Sequence, residues 1–86
     1  MALEQDLRAE TEKWLSRIRE KRKLVALADG SRADYLKNLD AYISDSSHFL
    51  QKGDLIRAFE AVVWAWALLE LAEKEGFLKV VSRAQI

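Results

Sequence analysis

Residues 53–76 read GDLIRAFEAVVWAWALLELAEKEG, an apolar run between two glycines with no proline inside it. Gly53 can take the left-handed backbone that closes a preceding helix, and Asp54 is a good N-cap for the next one. Gly76 stops the pattern, so the spacing predicts a helix from Leu55 to Glu75. On a wheel of about 100° per residue, Leu55, Ala58, Phe59, Ala61, Val62, Ala65, Trp66, Leu69 and Ala72 fill one arc of about 160°. That arc is wide enough to pack against two partner helices. Ala58, Ala65 and Ala72 recur at sevens and let another backbone approach closely. Trp64, Ala67, Leu68 and Leu71 fall outside the arc, among Arg57, Glu60 and Lys74. Trp64 and Trp66 stand about 200° apart, so one face cannot hold both.

The same punctuation recurs upstream. Gly30 reads as a helix C′ residue, Ser31 as the next N-cap, and Asp34 completes an approximate capping box. These signals predict one helix from Leu3 to Ala28 and a second from Arg32 to Lys52. In the first, Leu3, Leu7, Trp14, Ile18 and Val25 form a narrow apolar stripe, like a coiled-coil seam. Acidic residues crowd its first turns and basic residues its last, which complements the helix dipole. In the second, the rows Tyr35, Tyr42, Phe49 and Leu36, Ile43, Leu50 flank Leu39 and Ser46 in a broad apolar face. No period-two alternation appears, so a sheet is not expected. The predicted fold is all-α. It is one domain over residues 1–76, a three-helix antiparallel bundle with the third helix central and the first most loosely held. Residues 77–86, FLKVVSRAQI, form a tail whose course the pattern leaves open.

Composition narrows the function. The chain has 86 residues, the size of one small domain, with 14 Lys+Arg against 14 Asp+Glu. A formal charge of zero argues against a strongly basic nucleic-acid binder. The absence of cysteine excludes a disulfide framework, a thiolate zinc site and a cysteine nucleophile. The N-terminus carries acidic residues at once and no apolar signal region. The longest charge-free apolar stretch, Ala61 to Leu69, falls far short of the roughly 20 residues that span a bilayer. The expected location is cytoplasmic.

Little in the chain suggests catalysis. His48 is the single histidine and falls on the polar face of the second helix, with Asp45 one turn before it. A metal site needs three or four converging ligands, so His48 reads as a solvated surface residue. No phosphate loop, dinucleotide fingerprint or nucleophile elbow is present. The chain is therefore read as a non-enzyme with no metal or cofactor. Arg17, Arg19, Lys21, Arg22 and Lys23 form the one basic cluster. They carry the alternative reading, an accessory RNA- or DNA-binding protein. Residues 1–28 hold seven basic and five acidic residues, and that small excess already suits a helix C-terminus.

The apolar residues left outside the arc of the third helix carry the main functional expectation. A monomer rarely exposes a large apolar patch. Phe77, Leu78, Val80 and Val81 of the tail are one available cover; a second copy or another helical protein is the other. A homodimer is preferred because closed dimers are the commonest assembly. Trp64, Leu68 and Leu71 are the expected contact, framed by Arg57 and Glu60.

Parts of the chain resemble three known families. Gly53, Ala58 and Ala65 have the spacing of the second half of a tetratricopeptide repeat, with Tyr42, Ser46 and Phe49 at matching first-helix positions. Asp45 stands where that repeat has leucine, and a solenoid needs several repeats, so this reads as shared hairpin packing. The hairpin also resembles the nucleotide-binding helical domains of higher eukaryotes and prokaryotes, but no arginine precedes His48 at their catalytic spacing. A longer pattern is Tyr42-x-x-Asp45-Ser46-x-x-Phe49-x-x-x-Gly53-Asp54-x-x-x-Ala58-Phe59-Glu60 followed by an alanine-rich helix. It resembles the small archaeal domain-of-unknown-function family number three hundred and fifty-seven. That resemblance implies a short all-helical protein of archaeal origin and brings no catalytic residues.

Overall fold

The computed structural model describes residues 2–81. Helix α1 spans Ala2–Lys23, α2 spans Ala33–Gln51 and α3 spans Leu55–Glu75. They run up, down and up, and α3 packs against both of the others, most extensively against α2. The all-α three-helix bundle with a central third helix is therefore correct.

The arc read on α3 is its buried face. Ala58, Val62, Ala65, Leu69 and Ala72 have no accessible surface, and Ala61 is buried beside them. The small residues at sevens bring α2 close enough for the Ser46 hydroxyl to donate to the Ala58 carbonyl at 2.7 Å. Both ends of α3 follow the expected chemistry. The Asp54 side chain accepts from the Arg57 backbone N–H, and Gly76 closes the helix at φ 85°. Gly53 also takes positive φ, a backbone conformation that side-chain-bearing residues rarely adopt, and so turns the chain from α2 into α3.

The first linker departs from the expectation. Helix α1 stops at Lys23, five residues before Ala28. Val25–Leu27 then form a short strand, β1, which pairs antiparallel with β2, Leu78–Val80. The register sets Val25 opposite Val80 and Leu27 opposite Leu78. Backbone bonds extend the ladder at both ends, from Ala28 N to Phe77 O and from Val81 N to Leu24 O. A small sheet is thus present where none was expected, because a three-residue strand is too short to show alternation. Val25 is buried, but on a strand rather than in the helical stripe.

Gly30 is likewise not left-handed. It opens a single 3₁₀ turn, Gly30–Arg32, capped by the Asp29 side chain. The Ser31 capping box does not form, and α2 begins with no side-chain cap.

Past Gly76, Phe77 stacks edge-on against Tyr35 at 5.1 Å, and Leu78 is buried in the same core as the helices. The core of α1 is Thr11, Leu15 and Ile18, rotated from the predicted stripe, and Leu3 is exposed.

Candidate functional site

The outer side of α3 is where exposed apolar residues gather. Trp64 is 54% exposed and Leu71 is 49% exposed. Trp66, two positions from Trp64, turns inward and donates its indole N–H to the Trp14 carbonyl. The two tryptophans therefore serve opposite flanks of α3, as their spacing requires.

Trp64 is not loose. Its ring stacks on Tyr42 of α2, with centroids 6.2 Å apart and planes at 19°. Leu68 is half-buried beside it, and its carbonyl accepts from the Tyr35 hydroxyl at 2.9 Å. Burial raises the Tyr35 phenol above its ordinary value, so it stays a neutral donor. Arg57 is tied back to Asp54 at 2.9 Å, and Glu60 is exposed. The five residues expected at this surface thus fall along one side of α3.

Three shallow depressions join there. One holds Leu3, Leu7, Leu55 and Ile56; the next runs from Ile56 through Phe59 and Val63 to Trp64. The last places Trp64 with Tyr42, Leu68 and Asn38. Because Ile56 and Trp64 are shared, the exposed apolar surface is continuous from the start of α1 to the middle of α3. Ile56 and Val63 belong to it and were missed; both lie outside the buried arc, which was the available signal.

The described part of the tail, residues 77–81, does not cover this surface. Residues 77–81 run along β1 and against Tyr35, and residues 82–86 lie outside the described residues. Among the described residues, nothing of the chain shields Trp64 except Tyr42 and its immediate neighbours.

The basic cluster divides between two grooves. Arg19, Arg22 and Lys23 face α2 across a cleft of about 660 Å³ that also holds Ser44, Ser47 and His48. Arg17 lies on the α3 side with Trp14, Trp66 and Glu70. Lys21 pairs with Glu73 at 3.1 Å, Arg22 grips Asp40 through two nitrogens, and Lys23 pairs with Glu20. The cations meet α2 and α3 more than they form one strip. His48 is exposed, and among the described residues no cluster of three metal-ligating side chains occurs. No described helix is long and apolar enough to cross a membrane.

The family model described as a protein of unknown function (DUF357) matches residues 8–78, which take in α1 from Arg8 onward, α2, α3 and the start of β2. The chain belongs to the DUF357 family. The crystal structure of protein AF1782 from Archaeoglobus fulgidus, also of DUF357, is similar to it. That likeness has a TM-score of 0.83 and 52% sequence identity, and covers 92% of this chain and 99% of that one. No curated protein matches the sequence. DUF357 carries no assigned activity, so membership supports the helical fold and transfers no catalytic or binding residues.

Proposed function

We propose that this DUF357 protein is a non-enzymatic helical interaction module that associates with a second copy of itself through α3. Trp64, Leu68 and Leu71 supply the contact, with Arg57 and Glu60 at its rim. The observation that carries this reading is the half-exposed indole of Trp64, already fixed on Tyr42. An aromatic held in one orientation loses little entropy on docking, and such residues dominate binding energies. The apolar run from Leu3 through Ile56 and Val63 to Trp64, edged by Glu4, Asp54 and Glu60, gives it the apolar centre and charged border of an interface.

Sedimentation or light scattering at micromolar concentration tests the proposal. A concentration-dependent dimer is expected, and Trp64→Glu is expected to return it to monomer with helical content intact. A native chain that stays monomeric at the highest soluble concentration would sink the reading.

A further inference from the structure

We infer that the second copy docks with its α3 antiparallel to the first, about a two-fold axis level with Ala67, so that Glu60 of each copy meets Lys74 of the other. This rests on the self-association proposed above and specifies its geometry: Trp64 and Leu71 flank the seam, Glu60 stands in it, and Leu68, about 100° round the helix from Ala67, is left at its margin beside Tyr42.

The direction of the core locates the axis. The buried residues of α3, from Ala58 to Ala72, share a mean direction on the helical wheel. Ala67 is exposed and lies within about 20° of the opposite direction. It is the outermost point of the helix that packs on both others. Its small side chain lets a facing helix come close.

Charge fixes the orientation. Glu60 and Lys74 are each seven residues from Ala67, on opposite sides of it, and both are exposed. Neither has an ion-pair partner among the described residues. In an antiparallel pair centred on Ala67, they coincide about 10.5 Å to either side of the axis, at 1.5 Å per residue. The two-fold makes that attraction twice, as an isologous contact requires. Val63 then lies opposite Leu71, apolar on apolar. Both Trp64 rings fall on the same flank, about 9 Å apart along the helices. A parallel, in-register pair would instead set Glu60 on Glu60 and Lys74 on Lys74, near the centre of the seam. Two like-charge contacts disfavour it.

The chain has no cysteine, so an introduced one reports a single position. Under mild oxidation, Ala67→Cys is expected to cross-link to itself. Glu60→Cys is not expected to do so alone, but is expected to cross-link in an equimolar mixture with Lys74→Cys. Lys37→Cys, on the exposed side of α2, serves as the collision control. In sedimentation, Glu60→Lys is expected to weaken the dimer about tenfold, and Glu60→Lys with Lys74→Glu to restore it. A dimer in which Glu60→Cys links to itself, Ala67→Cys fails to link, or the double reversal stays weak overturns this geometry and leaves self-association standing. A strictly monomeric native chain, including one that binds only some other protein, overturns both.

Discussion

Trp64 rests almost flat on Tyr42, which joins the exposed side of α3 to α2 through one pair of rings. The contact is half in solvent, so it adds less to folding than a core pair does. Its larger effect is on readiness: α2 holds the indole in one pose before any partner arrives. Stability and association therefore depend on the same pair of side chains in different proportions.

A double-mutant cycle separates the two. Tyr42→Leu, Trp64→Leu and the double variant are expected to show a coupling of about 0.5–1 kcal/mol in urea unfolding. Tyr42→Leu is also expected to weaken the dimer, although the hydroxyphenyl ring is not at the proposed contact. A coupling indistinguishable from zero would mean the stack does not organise Trp64.

Leu69 and Leu71 are two positions apart and face opposite ways. Leu69 has no accessible surface, whereas Leu71 is 49% exposed. Leu69→Ala is expected to cost about 2–5 kcal/mol, through lost burial and a cavity in the core. Leu71→Ala is expected to change the unfolding energy of the monomer by no more than about 0.5 kcal/mol while loosening the dimer. Urea titration with sedimentation of the same two variants checks both halves. Equal costs in unfolding would contradict the burial pattern.

That contrast also marks what could be read from the chain. The bounds of α3 agree with its predicted limits because Gly53, Asp54 and Gly76 are local signals, each sufficient by its own backbone chemistry. The opposed tryptophans follow from helical period alone. The β1–β2 clasp does not, since it joins residues more than fifty positions apart and each strand is three residues long. Val25 mimicked a helical stripe position because its spacing from Ile18 is seven. On α1, Thr11 is polar and stands outside the predicted apolar stripe, yet it is buried. Its hydroxyl donates to the Leu7 carbonyl at 2.8 Å, which satisfies it and lets it be buried. The core face is therefore turned toward Leu15. At the surface, Trp64 and Leu71 were readable, but the continuity through Ile56 to Leu3 was not. It depends on where the start of α1 comes to lie.

Ser46 tests the close approach of α2 and α3. It is fully buried, and its hydroxyl is bonded to the Ala58 carbonyl. Ser46→Ala is expected to cost about 1 kcal/mol for the lost hydrogen bond. Ser46→Val keeps no hydroxyl and adds volume at a fully buried position against the Ala58 carbonyl. It is expected to cost about 1–3 kcal/mol more by overpacking. Chemical denaturation ranks the three proteins. A valine variant as stable as the alanine one would show that the gap has slack.

Asp54 gives the fold an acid-sensitive contribution. The Arg57 backbone N–H, then the Arg57 side chain, hold its carboxyl below the ordinary aspartate value of 3.8. The folded value is the lower one, so on acidification the unfolded chain takes up the proton first. The contribution is therefore complete above pH 3.8 and lost as the pH falls from there through the folded value. Asp29 and Glu10 are lowered too, chiefly by hydrogen bonds from the Ser31 and Lys13 side chains, and act in the same direction. Asp54→Asn keeps a capping oxygen and removes the titration. Its urea midpoint is expected to fall less steeply than that of the native chain as the pH drops below 3.8. Parallel curves for the two proteins would remove Asp54 as a source of the acid limb.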